Sequence, residues 1–208
     1  IAAHWGAIYL SPGVVETGAT VTDPRFRRRG LANQLGERLL VRLNELKVVG
    51  RVREPVITHT ATQEIALREG ATMVGVYLGY THPMQQVGIT DGMQESRNSL
   101  SVAYGNLQPL TPATMWIPGP YEPMARMVLD SSDWPRELES ARPDAPPPAV
   151  TAFATVFDSD NRLGVVDVTI VGQDLVDAVD TALDQMKRSG AEYVQVRLPV
   201  NQPALGTY

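Results

Sequence analysis

The stretch ETGATVTDPRFRRRGLANQL, residues 16–35, joins a strand-like segment to a helix through a basic loop. Strand-forming residues precede the Asp23-Pro24 step, which interrupts them. Leucines then recur every three or four positions up to Leu46, and this spacing predicts a helix over residues 30–46. The first part of the chain is therefore expected to run from a strand, through a charged loop, into an amphipathic helix.

This junction is suited to bind phosphate. The first amides of a helix have no partners within the helix, and the positive end of the helix dipole lies there. Gly30 and Ala32 are too small to hold a pyrophosphate away from those amides. The neighbouring arginines add charge-assisted contacts. The alternative interpretation is a solvated basic turn in front of a core-packed helix.

Residues 5–80 resemble the GNAT superfamily of acyl-CoA-dependent N-acyltransferases. Its signature is Arg or Gln, two residues, Gly, one residue, then Gly or Ala, and Arg27, Gly30 and Ala32 match it. The resemblance implies acetyl-CoA or another acyl-CoA as cofactor, with the pyrophosphate on the amides of residues 28–32 and the pantetheine arm beside the end of the preceding strand. The expected cofactor-binding residues are Val21, Thr22, Arg27, Arg28, Arg29, Gly30, Leu31 and Ala32.

Two candidate catalytic residues follow from the same resemblance. Members of the superfamily often have a glutamate on the strand before the loop, where it takes a proton from the acceptor amine, and Glu16 lies on that strand. They often have a tyrosine on a later short helix, but here that helix, residues 62–69, contains none and Ala66 is near the expected place. Tyr77 or Tyr80 on the next strand is the substitute proton donor, with core packing as the alternative role.

The order of predicted elements indicates an α/β protein. Strands are expected at residues 5–10, 14–22, 56–58 and 72–78, with crossover helices at 30–46 and 62–69. We expect a GNAT-like mixed sheet in a core over residues 1–83, in a partial or tandem GNAT-like chain. A connecting region over residues 84–149 is expected to contain helices near 93–107 and 121–129 and a proline-rich linker at 142–149.

Residues 150–208 repeat the order hairpin, helix, strand, with strands near 151–157, 163–171 and 193–200. Asp174 is placed to cap the intervening helix, and Gly190 to end it. We therefore expect a smaller, degenerate GNAT-like α/β unit. Because Gly172-Gln173-Asp174 carries negative charge at the junction between strand and helix, this unit is expected to bind no CoA.

Composition excludes several other classes. The chain has no cysteine, so disulfides and thiolate chemistry are excluded, and the three histidines lack the spacing of metal ligands. The formal net charge of −5 argues against nucleic-acid binding. Because no signal peptide or membrane-length apolar run is present, we expect a cytoplasmic protein without membrane contact. The sequence begins at Ile1 within strand-like residues, and we expect further residues upstream.

These features predict an N-acetyltransferase in which an amine acceptor, a small molecule or a peptide, attacks acetyl-CoA directly. The alternative is a regulatory or interaction module that binds acyl-CoA without turnover inside a larger protein. An upstream domain or a homo-oligomer is the expected kind of protein partner. A nucleic-acid contact by the arginine cluster is the third and weakest hypothesis.

Overall fold

The computed structural model describes residues 1–86, 90–139 and 146–208. The chain forms two compact units, Ile1–Leu110 and Thr111–Tyr208. The first half of the linker predicted at 142–149, residues 142–145, lies outside the described residues. Within these residues, no helix is both long and apolar enough to span a membrane.

The first unit is a mixed sheet with two helices. Its elements are β1 (Ala3–Ser11), β2 (Val14–Thr22), α1 (Leu31–Glu45), β3 (Gly50–Arg53), α2 (Ala61–Arg68), β4 (Thr72–Thr81) and β5 (Asn98–Asn106). The strand order is β1-β2-β3-β5-β4, in which β2 and β3 are parallel and the other neighbours antiparallel. The predicted α/β class, mixed sheet and crossover helix α1 are confirmed.

The helix predicted near 93–107 is wrong, because this segment contains β5. Leu100, Tyr104 and Leu107 recur with helical spacing in the sequence. In the structure β5 pairs with both β3 and β4, and Leu100, Val102 and Ala103 are all buried. Successive residues of β5 are buried, so both of its faces are covered and it does not show the alternation that reveals a half-exposed strand.

The strand predicted at 56–58 is also wrong in position. Only Val56 forms a bridge, to Leu100, whereas the strand between β2 and β5 is β3, at Gly50–Arg53. Two of its four residues are arginines, and charged residues in a short segment do not indicate a buried strand. Both arginines are nevertheless buried, because they form ion pairs with the carboxylate of Glu69.

Helix α1 packs against the sheet through aliphatic residues. Val15 of β2, Leu43 of α1 and Val48 form one buried cluster, with Leu39 and Leu107 packed against it. A second cluster, made of small residues, joins α2 to the sheet through Ala66, Ala71 and Ala103. The helix α2 ends at Gly70, whose φ of 77° is the left-handed conformation typical of this position.

The second unit contains β6 (Ala113–Trp116), α3 (Glu122–Asp130), β7 (Arg136–Glu139), β8 (Ala152–Asp158), β9 (Leu163–Ile170), α4 (Leu175–Arg188) and β10 (Tyr193–Arg197). Its larger sheet has the order β10-β9-β8, and β6 pairs with β7. Val166, Ala182 and Met186 pack α4 against that sheet. The predicted helices near 121–129 and after Asp174, and the end of the latter at Gly190, are confirmed.

The order hairpin, helix, parallel strand occurs in both units. In the first unit β1 and β2 are antiparallel, and β3 returns parallel to β2 after α1. In the second unit β8 and β9 are antiparallel, and β10 returns parallel to β9 after α4. The sequence prediction of a repeated connectivity is therefore confirmed at the level of strand pairing.

Candidate functional site

The parallel strands β2 and β3 separate part of the way along β2. They pair from Val14 to Glu16 on β2 and from Gly50 to Val52 on β3. Strand β3 ends at Arg53, whereas β2 continues to Thr22. Beyond Glu16, the edge of β2 that faces β3 thus has no strand partner among the described residues. This leaves an opening beside the C-terminal half of β2.

A bulge redirects the same half of β2. Gly6 of β1 pairs with Gly18, but His4 pairs with Val21, so β2 contains one extra residue between these two pairs. Ala19 lies in the bulge and has a φ of 51°, in the left-handed region that alanine rarely adopts. Nothing in the sequence indicated this bulge, because the residue with positive φ is not a glycine.

Two of the arginines brace the loop that follows. The Asp23 carboxylate accepts hydrogen bonds from the backbone N–H of Arg25 at 2.9 Å and from its guanidinium at 2.8 Å. These hydrogen bonds hold the pKa of Asp23 below its ordinary value. The Nε of Arg27 donates to the carbonyl of Thr22 at 3.3 Å, across the loop. Arg25 and Arg27 therefore support the backbone of the loop.

The other two arginines extend from the exposed surface of the loop. The Arg29 guanidinium lies 5.3 Å from the centre of the Phe26 ring, a cation–π distance. Arg28 has a φ of 59° and, within the described part of the chain, no ion-pair or hydrogen-bond partner for its side chain. The Arg28 side chain, beside the start of α1, is thus a cation without a partner in the described part of the chain.

Helix α1 begins without a side-chain cap. Gly30 is its N-cap residue, with a φ of 73°, and the first helical hydrogen bond runs from the N–H of Gln34 to the Gly30 carbonyl at 3.0 Å. The amides of residues 28–33 have no acceptor among the described residues. The nearest atom to a Cβ built on Gly30 is the Gln34 side-chain nitrogen, at 3.7 Å. Among the described residues, no side-chain atom therefore lies within 3.7 Å of this position.

Glu16 lies at the last paired register before β2 leaves β3. Its carboxylate is half-buried and has no hydrogen-bond or ion-pair partner within the described residues. Burial raises the pKa of the Glu16 carboxyl above its ordinary value. A carboxylate in this condition accepts a proton more readily than an exposed glutamate does.

Tyr77 is on a different part of the sheet. Glu16 is in register with Val52, which leads through Tyr104 to Thr72 on β4. Three strand spacings separate β2 from β4, about 14 Å, and Tyr77 lies five residues further along β4, about 17 Å. The ring of Tyr77 packs 5.1 Å from that of Tyr80. The structure does not bring the two candidate catalytic residues together.

Helix α2 has no residue in place of the missing tyrosine. Ala66 is completely buried in the small-residue cluster and offers no polar group. Gln63 donates to two backbone carbonyls, and the Thr60 hydroxyl donates to Glu64 at 2.8 Å. The buried Thr62 hydroxyl of α2 has no hydrogen-bond partner among the described residues.

The corresponding junction of the second unit is closed by its own chain. The Asp174 carboxylate accepts the N–H of Thr151 at 2.6 Å instead of capping α4, so the predicted capping hydrogen bond is absent. The N–H of Gly172 donates to the Thr151 hydroxyl, and that of Val171 to the Gln202 side chain at 2.9 Å. A Cβ on Gly172 would lie 2.4 Å from the backbone of residues 150–151. The backbone amides of residues 171–173, between β9 and α4, thus have acceptors within the chain.

No protein-family model matches the sequence, and no curated protein is found to be similar to it. Among solved structures, Ard1 from Thermoplasma volcanium is similar over 51% of this chain, with 14% identity and a TM-score of 0.42. The ribosomal-protein-S18-alanine N-acetyltransferase from Escherichia coli is similar over 53%, with 17% identity and a TM-score of 0.43. A GNAT family acetyltransferase from Elizabethkingia anophelis with acetyl-CoA bound is similar over 51%, with 12% identity and a TM-score of 0.43.

The similarity is partial on both sides. This chain covers 64% of Ard1, 64% of the ribosomal-protein acetyltransferase and 69% of the Elizabethkingia protein. The first unit has a mixed five-stranded sheet, a helix α1 that crosses over between the parallel strands β2 and β3, and a separation of these two strands beyond Glu16.

Proposed function

We propose that the first unit binds acyl-CoA and transfers the acetyl group of acetyl-CoA to an amine acceptor, a small molecule or a peptide. One observation carries this proposal. The uncapped N-terminus of α1, with unoccupied amides at residues 28–33, follows directly from the strand that leaves its parallel neighbour. A site for an anion, at the N-terminus of α1, and an unpaired strand edge for an extended ligand, on β2, are therefore adjacent in the chain.

In the proposed complex, the pyrophosphate lies on the amides of residues 28–32, with the side chains of Arg28 and Arg29 contributing charge. Arg27 supports the loop through its hydrogen bond to Thr22. The pantetheine arm extends along the unpaired edge of β2, beside Val21 and Thr22. An amide-containing chain in that position replaces the backbone hydrogen bonds that β3 does not supply.

In the proposed reaction, Glu16 takes a proton from the acceptor ammonium group. The freed nitrogen attacks the thioester carbonyl, a C–N bond forms, and the C–S bond breaks with its electron pair on sulfur. The nitrogen loses a second proton to water, the thiolate takes a proton from water, and Glu16 releases its own proton to solvent, which leaves the amide and free CoA. Unpaired amides of β2 near Val21 stabilise the developing oxyanion. Because holding two substrates in line supplies much of the acceleration, transfer does not require a dedicated acid for the thiolate.

The alternative is an acyl-CoA-binding module without turnover. The complete burial of Ala66 favours it, because the helix α2 offers no proton donor at that place. Release of free CoA from acetyl-CoA, measured with propylamine, spermidine and a lysine-containing hexapeptide as acceptors, distinguishes an enzyme from such a module.

The proposed cofactor site is tested by thermal unfolding with and without acetyl-CoA. We expect acetyl-CoA to raise the Tm of the wild type, because a ligand that binds only the folded state stabilises it. Gly30→Ala introduces a strained left-handed alanine at the phosphate seat, and Arg28→Ala removes the unpaired cation. Both variants should lose most of the acetyl-CoA-dependent shift in Tm.

Gly70→Ala is the matched control. Gly70 has a φ of 77°, close to the 73° of Gly30, and a Cβ there would contact nothing within 4 Å. The control should lose a similar amount of stability, on the order of 1–2 kcal/mol for left-handed alanine, yet keep the full shift. An equal shift in wild type and Gly30→Ala would contradict the proposed site.

A further inference from the structure

A buried group of charged side chains lies beside the opening between β2 and β3. Arg51 and Arg53 are 2% and 3% exposed, and both pair with the carboxylate of Glu69. Within the described residues, neither arginine has another ion pair. Burial lowers the pKa of the Arg53 guanidinium, the Glu69 charge opposes this shift, and the Arg51 charge adds to it. The group therefore contains an uncompensated positive charge, which is costly in a buried position.

The Arg53 side chain extends across this opening. Arg53 follows Val52, the last residue of β3 that pairs with β2. Its guanidinium lies 4.7 Å from the centre of the Trp5 ring, although Trp5 belongs to β1, on the far side of β2. Trp5 is opposite the bulge of β2, beyond the last pair of β2 with β3. A side chain that reaches from β3 to Trp5 therefore passes over the unpaired part of β2.

The guanidinium and the indole form a layer between α1 and the opening. A Cβ on Gly36 of α1 would overlap the Trp5 ring and lie 3.0 Å from Oε1 of Glu69. Arg53 follows the β3 residue that is in register with Glu16, and successive strand residues point to opposite faces. An amine that gives its proton to Glu16 thus approaches from the face opposite Arg53. The layer is therefore placed to contact the acyl donor and not the acceptor.

The polar atoms of Arg53 and Trp5 that have no partner are all hydrogen-bond donors. Nε1 of Trp5 is buried and has no hydrogen-bond partner among the described residues. Arg53 donates from Nη1 to Glu69 at 2.9 Å, whereas its Nε and Nη2 have no acceptor in the described part of the chain. Indole and guanidinium nitrogens cannot accept. A water molecule would satisfy some of these donors, but only an anion would also compensate the charge.

We propose that the site prefers an acyl-CoA whose acyl chain ends in a carboxylate, as in succinyl-CoA, and that Arg53 and Trp5 bind this carboxylate. The inference rests on the acyl-CoA site proposed above. A cofactor with its phosphates at the N-terminus of α1 and its pantetheine arm along β2 brings its acyl end to the part of β2 that Arg53 crosses. A terminal carboxylate there accepts hydrogen bonds from both side chains, whereas an acetyl group leaves these donors unoccupied.

Binding of a matched pair of CoA thioethers tests this preference. S-(3-carboxypropyl)-CoA carries a terminal carboxylate on a chain as long as the succinyl group, and S-butyl-CoA has a methyl group in place of the carboxylate. A thioether cannot transfer its chain, so the measurement reports binding alone. Isothermal titration calorimetry with the whole chain should give a Kd at least about tenfold lower for the carboxylate compound, because hydrogen bonds to a charged group are strong.

Two conservative variants test the residues. Trp5→Phe keeps an aromatic ring but removes the indole N–H, and Arg53→Lys keeps the positive charge but removes the planar set of donors. Each should reduce the ratio of the two Kd values at least about threefold, with little change in the Kd of S-butyl-CoA. A purely structural defect would weaken both compounds alike and leave the ratio unchanged. Trp116→Phe in β6 and Arg42→Lys on α1 are the matched controls and should keep the wild-type ratio.

The outcomes separate this inference from the proposed function. Equal Kd values for the two thioethers in the wild type would overturn the inference and leave the acyl-CoA site in place. A preference that persists in both variants would overturn the role of Arg53 and Trp5. If Arg53→Lys does not fold, the wild-type ratio and Trp5→Phe still decide the question. Absence of binding by both thioethers would contradict the proposed function itself.

Discussion

Glu16 combines two properties that exposed glutamates do not have together. It is half-buried, and no cation or hydrogen-bond donor within the described residues compensates for that burial. The desolvated carboxylate therefore costs folding free energy whenever it is charged. Such a cost is expected at a position selected for proton transfer instead of for stability. The residue identity was evident from the sequence, whereas the burial follows from its place between β1 and β3.

The raised pKa of Glu16 gives a prediction for stability. Its pKa is higher in the folded than in the unfolded chain, so its stabilising contribution is present at low pH and is lost as pH rises through the folded pKa. Glu16→Gln should therefore become more stable relative to wild type between pH 4 and pH 7. We expect less than about 1 kcal/mol, because solvent screens a half-exposed group.

Urea unfolding of both proteins at several pH values measures this difference. Glu37→Gln, on the exposed side of α1, is the control and should show no such trend. A stability difference between Glu16→Gln and wild type that is constant with pH would show that the Glu16 carboxylate is not desolvated.

The helices and strands of the first unit can be predicted from the sequence only where one of their faces is exposed to solvent. Leucines at helical spacing predict α1, and strand-forming residues around the Ser11-Pro12-Gly13 turn predict β1 and β2. Strand β3 was missed because Arg51 and Arg53 are buried by pairing with a distant carboxylate, which no local pattern shows. The separation of β2 from β3 cannot be predicted from the sequence either, because it depends on strand pairing and not on residue type.

The carboxylate that pairs with β3 is Glu69, at the end of α2. It accepts from Arg51 at 2.6 Å and from Arg53 at 2.9 Å, and both arginines are buried. The guanidinium of Arg53 also lies 4.7 Å from the Trp5 ring of β1. This cluster ties α2 to the strand that borders the opening beside β2.

Removing the carboxylate should therefore strongly destabilise the first unit. Glu69→Gln leaves two buried guanidinium groups without a counter-charge, and we expect a loss of about 3–5 kcal/mol. Glu45→Gln, which breaks an exposed ion pair with Arg42, is the control and should cost less than about 1 kcal/mol. Chemical unfolding of both variants measures the difference, and equal losses would show that the cluster is not desolvated.

Both units of the molecule have the order hairpin, helix, parallel strand. They differ in the hydrogen bonding at the junction that leads into the helix. In the first unit, the helix that follows the hairpin begins at Gly30 with unoccupied amides. In the second, the junction at Gly172 and Asp174 is occupied by residues of the same chain. The sequence indicated this contrast through charge alone, and the structure adds the hydrogen bonds that close the second junction. Acyl-CoA binding is therefore expected in the first unit only.

Amide NMR during a titration with acetyl-CoA shows whether the N-terminus of α1 binds the phosphates. We expect the largest shift changes at the amides of residues 28–33, smaller ones along β2 up to Thr22, and none at residues 171–175. Desulfo-CoA, which lacks the thioester but keeps the pyrophosphate, should give the same changes at residues 28–33. Unchanged amides at residues 28–33 in the presence of saturating acetyl-CoA would contradict the account.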